Sequence, residues 1–302
     1  MKIRIPHLVL AVAGTALIAA ACGDSDTKSV TPTSRPAITQ ATQPAAQAPT
    51  TAAPTPAASA ATPEMMPMQP GAEKMKLAIV SPANGAIITA NEVTLDVTAT
   101  GFDLTCDLAG KPVQEGKGHY HTEIDRSLVD MECTPQATIS LQNVKPGMHT
   151  LTVVPAQDDH AEVHENAVSV TIDYQPANPL AAIKDATFAT QPSIKIISPK
   201  AGDTVSGNFD IVVEVQNFNL SCDLFGKPAV AGYGHWHLNL DSTSGPMMGM
   251  GTMAGMSCTT VFHASTAGLA PGSTHTLIPL LTDNGHAPLD PMVSDKVEVK
   301  IQ

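Results

Sequence analysis

Gly-Lys-Gly-His-Tyr-His-Thr-Glu-Ile-Asp (116–125) and Gly-Tyr-Gly-His-Trp-His-Leu-Asn-Leu-Asp (232–241) are two copies of one strand, and the alternation inside them decides the fold. Side chains two apart on a strand share a face. Tyr120, Thr122 and Ile124, or Trp236, Leu238 and Leu240, therefore make a core face, and the paired histidines take the other. Working outward, residues 102–125 align without a gap on 218–241, and 13 of the 24 positions are identical. The match reaches Val80-Ser81-Pro82 against Ile197-Ser198-Pro199, Cys133-Thr134 against Cys258-Thr259, and Pro146-Gly147 before His149 against Pro271-Gly272 before His275. Such self-similarity is the mark of a repeated unit. The repeats are expected at 77–174 and 194–302, with a linker over 175–193.

Within each repeat the hydrophobic period is two: Val93, Leu95, Val97 and Ala99 alternate with polar residues, as do Phe209, Ile211, Val213 and Val215. Short strands separated by Pro-Gly, Asn-Gly and Gly-Asp turns, over about 100 residues, predict an all-β fold, two tandem immunoglobulin-like antiparallel β-sandwiches.

Upstream of the repeats the chain cannot pack. Residues 22–73 are rich in threonine, proline and alanine and poor in branched aliphatics. Such a stretch cannot bury enough apolar surface to offset its ordering entropy, so a disordered tether is expected. Lys2 and Arg4 precede an apolar stretch from Leu8 to Ala21, too short to span a bilayer and of the length of a secretory signal. It ends in Ala19-Ala20-Ala21-Cys22, which resembles a bacterial lipobox. That resemblance implies a signal peptide over 1–21, lipidation of Cys22, and anchoring to the extracytoplasmic side of a cell membrane, facing periplasm or cell surface.

With 16 basic against 28 acidic residues the net charge is −12, which argues against nucleic acid as a partner, since each phosphate contact needs a basic side chain. No nucleophile elbow or phosphate-cradling loop is present, and no enzyme is expected. Beyond Cys22, one cysteine pair falls in each repeat, Cys106 with Cys133 and Cys222 with Cys258. Outside the cytoplasm this favours a disulfide per repeat over a sulfur-containing metal site. Cys106 and Cys222 stay in step with Leu104 and Leu220 and are expected to point inward.

Histidines carry the functional question. His119, His121, His149 and His160 recur as His235, His237, His275 and His286, and the spacing from His149 to His160 equals that from His275 to His286. Two imidazoles on one strand supply half of a four-coordinate shell for copper or zinc. They are expected to look outward or into a shallow cleft, followed on that face by Glu123 and Asp125, or Asn239 and Asp241. His160 and His286, in loops with the acidic neighbours Asp158 and Asp159 or Asp283 and Asp290, are candidates to complete the shell. His149 and His275 are read as structural. The second repeat has ten extra residues between His237 and His275, and Met247, Met248, Met250, Met253 and Met256 lie there. Thioethers suit Cu(I), which favours copper over zinc; a mobile methionine-rich loop or partner contact surface is the other reading.

The motif at 232–241, with Leu-Ala-Pro-Gly-Ser-Thr-His-Thr-Leu (269–277) and the loop from Asp283 to Val297, resembles a family of exported bacterial domains of unknown function. Its members carry Gly-x-Gly-His-His-His with a following aspartate. The chain departs from that pattern at Tyr120 and Trp236, in place of the middle histidine, and at Asn284. The resemblance implies a small sandwich in the cell envelope. Two functions follow as expectations: an anchored metal-binding protein that meets a metal-handling or cell-surface partner, or an interaction module with structural histidines. Replacing Cys22 by serine (Cys22→Ser) is expected to move the protein from the membrane to the soluble fraction of cells; an unchanged membrane fraction would contradict lipidation.

Overall fold

The computed structural model describes residues 67–244 and 249–302. The signal segment, Cys22, most of the tether and Met247 and Met248 lie outside the described residues.

The first repeat contains nine strands: β1 (Lys76–Ser81), β2 (Ala86–Ile88), β3 (Glu92–Thr100), β4 (Asp103–Leu104), β5 (Lys117–Ile124), β6 (Ser127–Glu132), β7 (Gln136–Ser140), β8 (Gly147–Ala156) and β9 (Val168–Tyr174). A three-stranded sheet, β1-β3-β7, faces a six-stranded one, β2-β9-β8-β5-β4, in which β6 also pairs with β5. The second repeat restates this strand for strand: β10 (Ser193–Ser198), β11 (Thr204–Val205), β12 (Asn208–Gln216), β13 (Asn219–Leu220), β14 (Tyr233–Leu240), β15 (Met253–Ser257), β16 (Val261–Ser265), β17 (Thr274–Thr282) and β18 (Val297–Ile301). Its sheets are β10-β12-β16 and β11-β18-β17-β14-β13, with β15 on β14. Each repeat is an all-β, immunoglobulin-like sandwich, antiparallel except where the short edge strands β2, β4, β11 and β13 pair in parallel. The described residues of both repeats belong to one compact unit.

Period-two alternation explains the cores. Val93, Leu95 and Val97 of β3 meet Tyr120 and Ile124 of β5, Leu151 and Val153 of β8, and Ile172 of β9. Tyr120 is fully buried and donates its hydroxyl to Thr134 O at 3.0 Å. Trp236 holds the same place in the second core, with Nε1–H on Thr259 O at 2.7 Å. Each ring thus buries a large apolar area without stranding its polar atom. The core begins earlier than the alternation indicates: Ala72 and Met75, at and beyond the expected end of the tether, are buried in it. The segment between the repeats is hydrogen-bonded to both, through Ala177 N to Thr89 O and Ala186 N to Ala231 O.

Both disulfides form, Cys106–Cys133 and Cys222–Cys258, with Cα–Cα distances of 5.3 and 5.0 Å. Each closes a loop whose constraint on the unfolded chain is worth about 3 kcal/mol. The inward orientation expected of these cysteines is not found: Cys106, Cys133 and Cys258 are half-buried and Cys222 is exposed. After β4 and β13 the chain leaves the strand for a turn, so the alternation that places Leu104 and Leu220 does not carry through.

The repeats pack through the outer faces of their larger sheets. Ala109 and Met131 meet Met253 in a small buried cluster. Lys111, nearly buried, crosses the interface to donate to Ser265 O and Ala267 O, both at 2.7 Å. The closest approaches use glycine. Gly226 has φ of +66°, and a Cβ there would stand 2.3 Å from Leu128 O; Gly110, its counterpart, has φ of +73° and would place a Cβ 2.6 Å from Met253 C. Gly226→Ala is therefore expected to cost about 2 kcal/mol or more, from left-handed strain and overpacking together. Gly202→Ala, also at positive φ but with nothing within 4 Å, serves as the comparison and should lose only about 1 kcal/mol. Denaturant midpoints for the two variants check this; equal losses would mean that the close contact carries no energy.

Candidate metal centres

Strand β5 delivers His119 and His121 to the outer face of the six-stranded sheet. The loop after β8 delivers His160, and β14 and the loop after β17 do the same with His235, His237 and His286. Both loops are tight turns in which a backbone N–H spans four residues, Gln157 N to Ala161 O at 3.0 Å and Asp283 N to Ala287 O at 2.8 Å. The turn puts His160 at φ of 63° and His286 at φ of 69°. A left-handed conformation costs a non-glycine residue about 1–2 kcal/mol. Histidine nevertheless occupies it in both copies, which points to a need for the ring, since such strain gathers at functional sites.

In the first triad the nitrogens converge on a point. His119 Nε2 lies 3.1 Å from His121 Nε2 and 3.1 Å from His160 Nδ1, and the last two are 3.2 Å apart. The second triad has His235 Nε2, His237 Nε2 and His286 Nδ1 at 3.0, 2.9 and 3.3 Å. Ligands bound at about 2.0–2.1 Å with tetrahedral angles lie roughly 3.3–3.4 Å apart. The triangles are therefore slightly contracted versions of three corners of a zinc or copper tetrahedron, and each triad can hold a metal ion.

His160 Nε2 donates to Met253 O at 2.7 Å, and His286 Nε2 donates to Leu128 O at 3.0 Å, each carbonyl belonging to the other repeat. A neutral imidazole carries one N–H, so the Nδ1 turned into each triad is a bare lone pair. His121 Nδ1 donates to Glu162 Oε1 at 2.5 Å, which leaves its Nε2 bare as well. Two lone pairs thus face each other 3.2 Å apart in the first triad. A neutral pair of acceptors repels; a cation between them removes the conflict. A ligating histidine bound through its other N–H to a carboxylate or carbonyl is the usual outer support of a metal site. His119 Nδ1 and His235 Nδ1 are buried without a hydrogen-bond partner.

Burial sets the electrostatics. Desolvation, followed by repulsion from His160 and His121, holds His119 well below the ordinary imidazole range, and burial does the same to His235 and His237. Burial, with repulsion from His121, pushes His160 down to about 3 against the hydrogen bond to Met253 O. Burial likewise brings His286 to about 4. His237 is repelled by His160 and His286 by His121, so the triads sense one another across the interface. Glu162 is raised by burial, but opposing causes, the hydrogen bond from His121 Nδ1 first among them, hold it below its usual range.

Several expectations require correction. The His-x-His pairs do not look outward: His119 and His235 are 0% exposed, because the turn carrying the third histidine and the facing repeat cover that face. Asp125 and Asp241 do not join the triads. They sit past the strand ends at positive φ and accept from Nδ1 of His149 and His275, at 2.6 and 2.7 Å, so the structural reading of those two histidines has a concrete partner. Asp158 accepts from Gln114 N at 2.8 Å, and Asp283 accepts from Gly285 N and Ala287 N within its own turn, so both build loops. Of the methionines, Met253 contributes its carbonyl, and Met256 pairs with His237 across β14 and β15 and so shares its face. Met250 opens a 3-10 turn, Met250–Thr252. Sequence reasoning missed Glu162 and Met131; the carboxylate two residues past His160 was a visible signal, whereas Met131, paired with His121, needed the register.

No family model and no curated protein matches the chain. Among solved structures, fibronectin(III)-like modules of Clostridium thermocellum CbhA are 14% identical over 75% of this chain and 94% of theirs, with a TM-score of 0.24. The endo-beta-1,4-mannanase from Thermotoga petrophila is 12% identical over 38% of this chain and 20% of its own length, TM-score 0.23. The chicken CNTN1 FN1-FN3 domains are 9% identical over 75% of this chain and 65% of theirs, TM-score 0.22. The fold stands on its own strand order and register.

In the metal-free protein the unfolded chain takes up protons near pH 6.5, while the buried rings stay neutral to about 3 for His160 and about 4 for His286. The unfolded state therefore binds more protons at these rings in that window, and their contribution to stability falls as the pH drops through it, by up to about 1.4 kcal/mol per pH unit for each ring. Buried carboxyls act in the opposite sense over the same range, since burial raises Asp130 to about 7, Glu132 to about 8 and Asp158 to about 6. The rings are therefore read by difference: between pH 7 and 4 the denaturant midpoint should change more steeply in the direction of lost stability for the native chain than for the double variant His160→Gln with His286→Gln, and equal slopes would contradict buried neutral rings.

Proposed function

We propose that this protein is a lipid-anchored, extracytoplasmic binding protein that holds transition-metal ions, copper above all, in two three-histidine centres and exchanges them with a metal-handling or cell-surface partner. The observation that carries it is the convergence of three imidazole nitrogens in a buried space, twice in one chain, with the nitrogen of the third ring bare in each. Copper is favoured because it heads the affinity order for nitrogen donors among divalent first-row metals. Met131 and Met256, on the same faces as His121 and His237, add soft thioethers nearby. The function assigned is binding and handover, with no catalytic step. The export signal and Cys22 support an envelope location, and the net charge of −12 suits attraction of cations.

The test is titration of the full mature chain, made soluble by Cys22→Ser, with Cu(II), Cu(I) and Zn(II). Two equivalents bound more tightly than micromolar are expected. His121→Ala and His237→Ala should each remove one, and the double variant both, with circular dichroism confirming the fold. Absence of binding tighter than micromolar would leave an interaction module with structural histidines.

A further inference from the structure

The two centres share their ligand atoms but not their surroundings. Beside the first, Glu162 Oε1 is hydrogen-bonded to His121 Nδ1 at 2.5 Å; the residue two places past the third histidine of the second centre is Pro288. Glu123, two residues after His121, corresponds to Asn239, which uses its amide to hold Gly249 O at 2.8 Å. Asp158, two residues before His160, corresponds to Asn284.

This last pair separates charge from architecture. Asp158 Oδ2 accepts from Gln114 N at 2.8 Å and Asn284 Oδ1 accepts from Val230 N at 2.8 Å, while their backbone carbonyls accept from Gly110 N and Gly226 N. The same turn is therefore built with a carboxylate in one copy and an amide in the other, so folding does not require the charge. The second centre is instead walled by an aromatic ring: Phe225 stands edge-on to His235 with centroids 4.4 Å apart. Ala109 takes the corresponding position in the first repeat.

Resting on the metal-binding reading, we propose that the centres have divided by ion charge: His119, His121 and His160 take a divalent cation, and His235, His237 and His286 a monovalent d10 cation of the Cu(I) class. Three neutral imidazoles cancel none of an ion's charge. The cost of burying that charge grows steeply with its magnitude, so a buried dication needs carboxylates close by. Glu162 supplies one through His121, making that ring a more basic donor. Next to the second centre, a proline, two asparagines and a phenylalanine stand at the positions where the first has three acids and an alanine; the acid of its turn, Asp283, is held by Gly285 N and Ala287 N and contacts no ring of the triad by hydrogen bond. A soft monocation is satisfied there by neutral nitrogen donors with a thioether at hand on Met256.

The experiment uses the full mature Cys22→Ser chain with Zn(II) and, anaerobically, Cu(I) as probes. His237→Ala leaves only the first centre and His121→Ala only the second. Zn(II) is expected to bind at least tenfold more tightly in His237→Ala than in His121→Ala, and Cu(I) in the reverse order. Because a triad variant can fail to fold, Glu162→Gln in the otherwise native chain is the second arm: it should weaken one of two Zn(II) equivalents by about 10- to 100-fold, the range of outer-support mutations, and leave the tighter Cu(I) equivalent within threefold. Binding of both probes with the same preference at both centres, or no effect of Glu162→Gln on Zn(II), would overturn the division while leaving metal binding intact. Binding of neither probe to the unmutated chain would overturn metal binding itself.

Discussion

His160 and His286, the rings that close the two triads, each donate their outward N–H to a carbonyl of the opposite repeat, Met253 O and Leu128 O. These reciprocal bonds fix which nitrogen of each ring is bare, and so whether the third nitrogen of each triad can act as a ligand. A sandwich standing alone would carry the His-x-His strand and the left-handed turn, but the third imidazole would lose the acceptor that sets its tautomer. The tandem, rather than the single repeat, is therefore the unit in which the donor set is complete. Gly110 and Gly226 serve the same constraint, because the backbones approach so closely there that a Cβ would collide with the facing strand.

Burial makes the triads costly and informative together. Six imidazoles lie in a face that the aliphatic cores do not use, and two of them keep an Nδ1 with no hydrogen-bond partner. A buried polar group without a partner costs on the order of 1–3 kcal/mol. The cores supply what offsets this from few aromatic residues: one large ring at Tyr120 or Trp236, with its polar atom satisfied, surrounded by valine, leucine and isoleucine. The disulfides add a constraint at the edge of each sheet.

The copies have kept their frame and changed their charge. Asp125 with His149, and Asp241 with His275, pin the far end of the central strand in the same way in both. Glu162, Glu123 and Asp158 have no acidic counterparts in the second repeat, although the backbone that carries them is reproduced strand by strand. Conserved hydrogen bonding beside altered charge separates what the fold demands from what the centre demands.

The sandwich class, the duplication, the cysteine pairing and the six histidines were legible in the amino-acid sequence, because they depend on local alternation and on matched spacings that survive without knowledge of long-range packing. Burial of the His-x-His face was not legible. Alternation says which residues share a face of β5, but only the return of the His160 turn and the docking of the second repeat decide that this face is covered. The inward course of Ala72 and Met75 and the surface placement of Cys222 escaped for a related reason: neither lies in a regular strand, where the period holds. The tautomers of His160 and His286 depended on carbonyls 93 and 158 residues away in the chain, a contact that no local pattern encodes and that exists only once the two sandwiches meet.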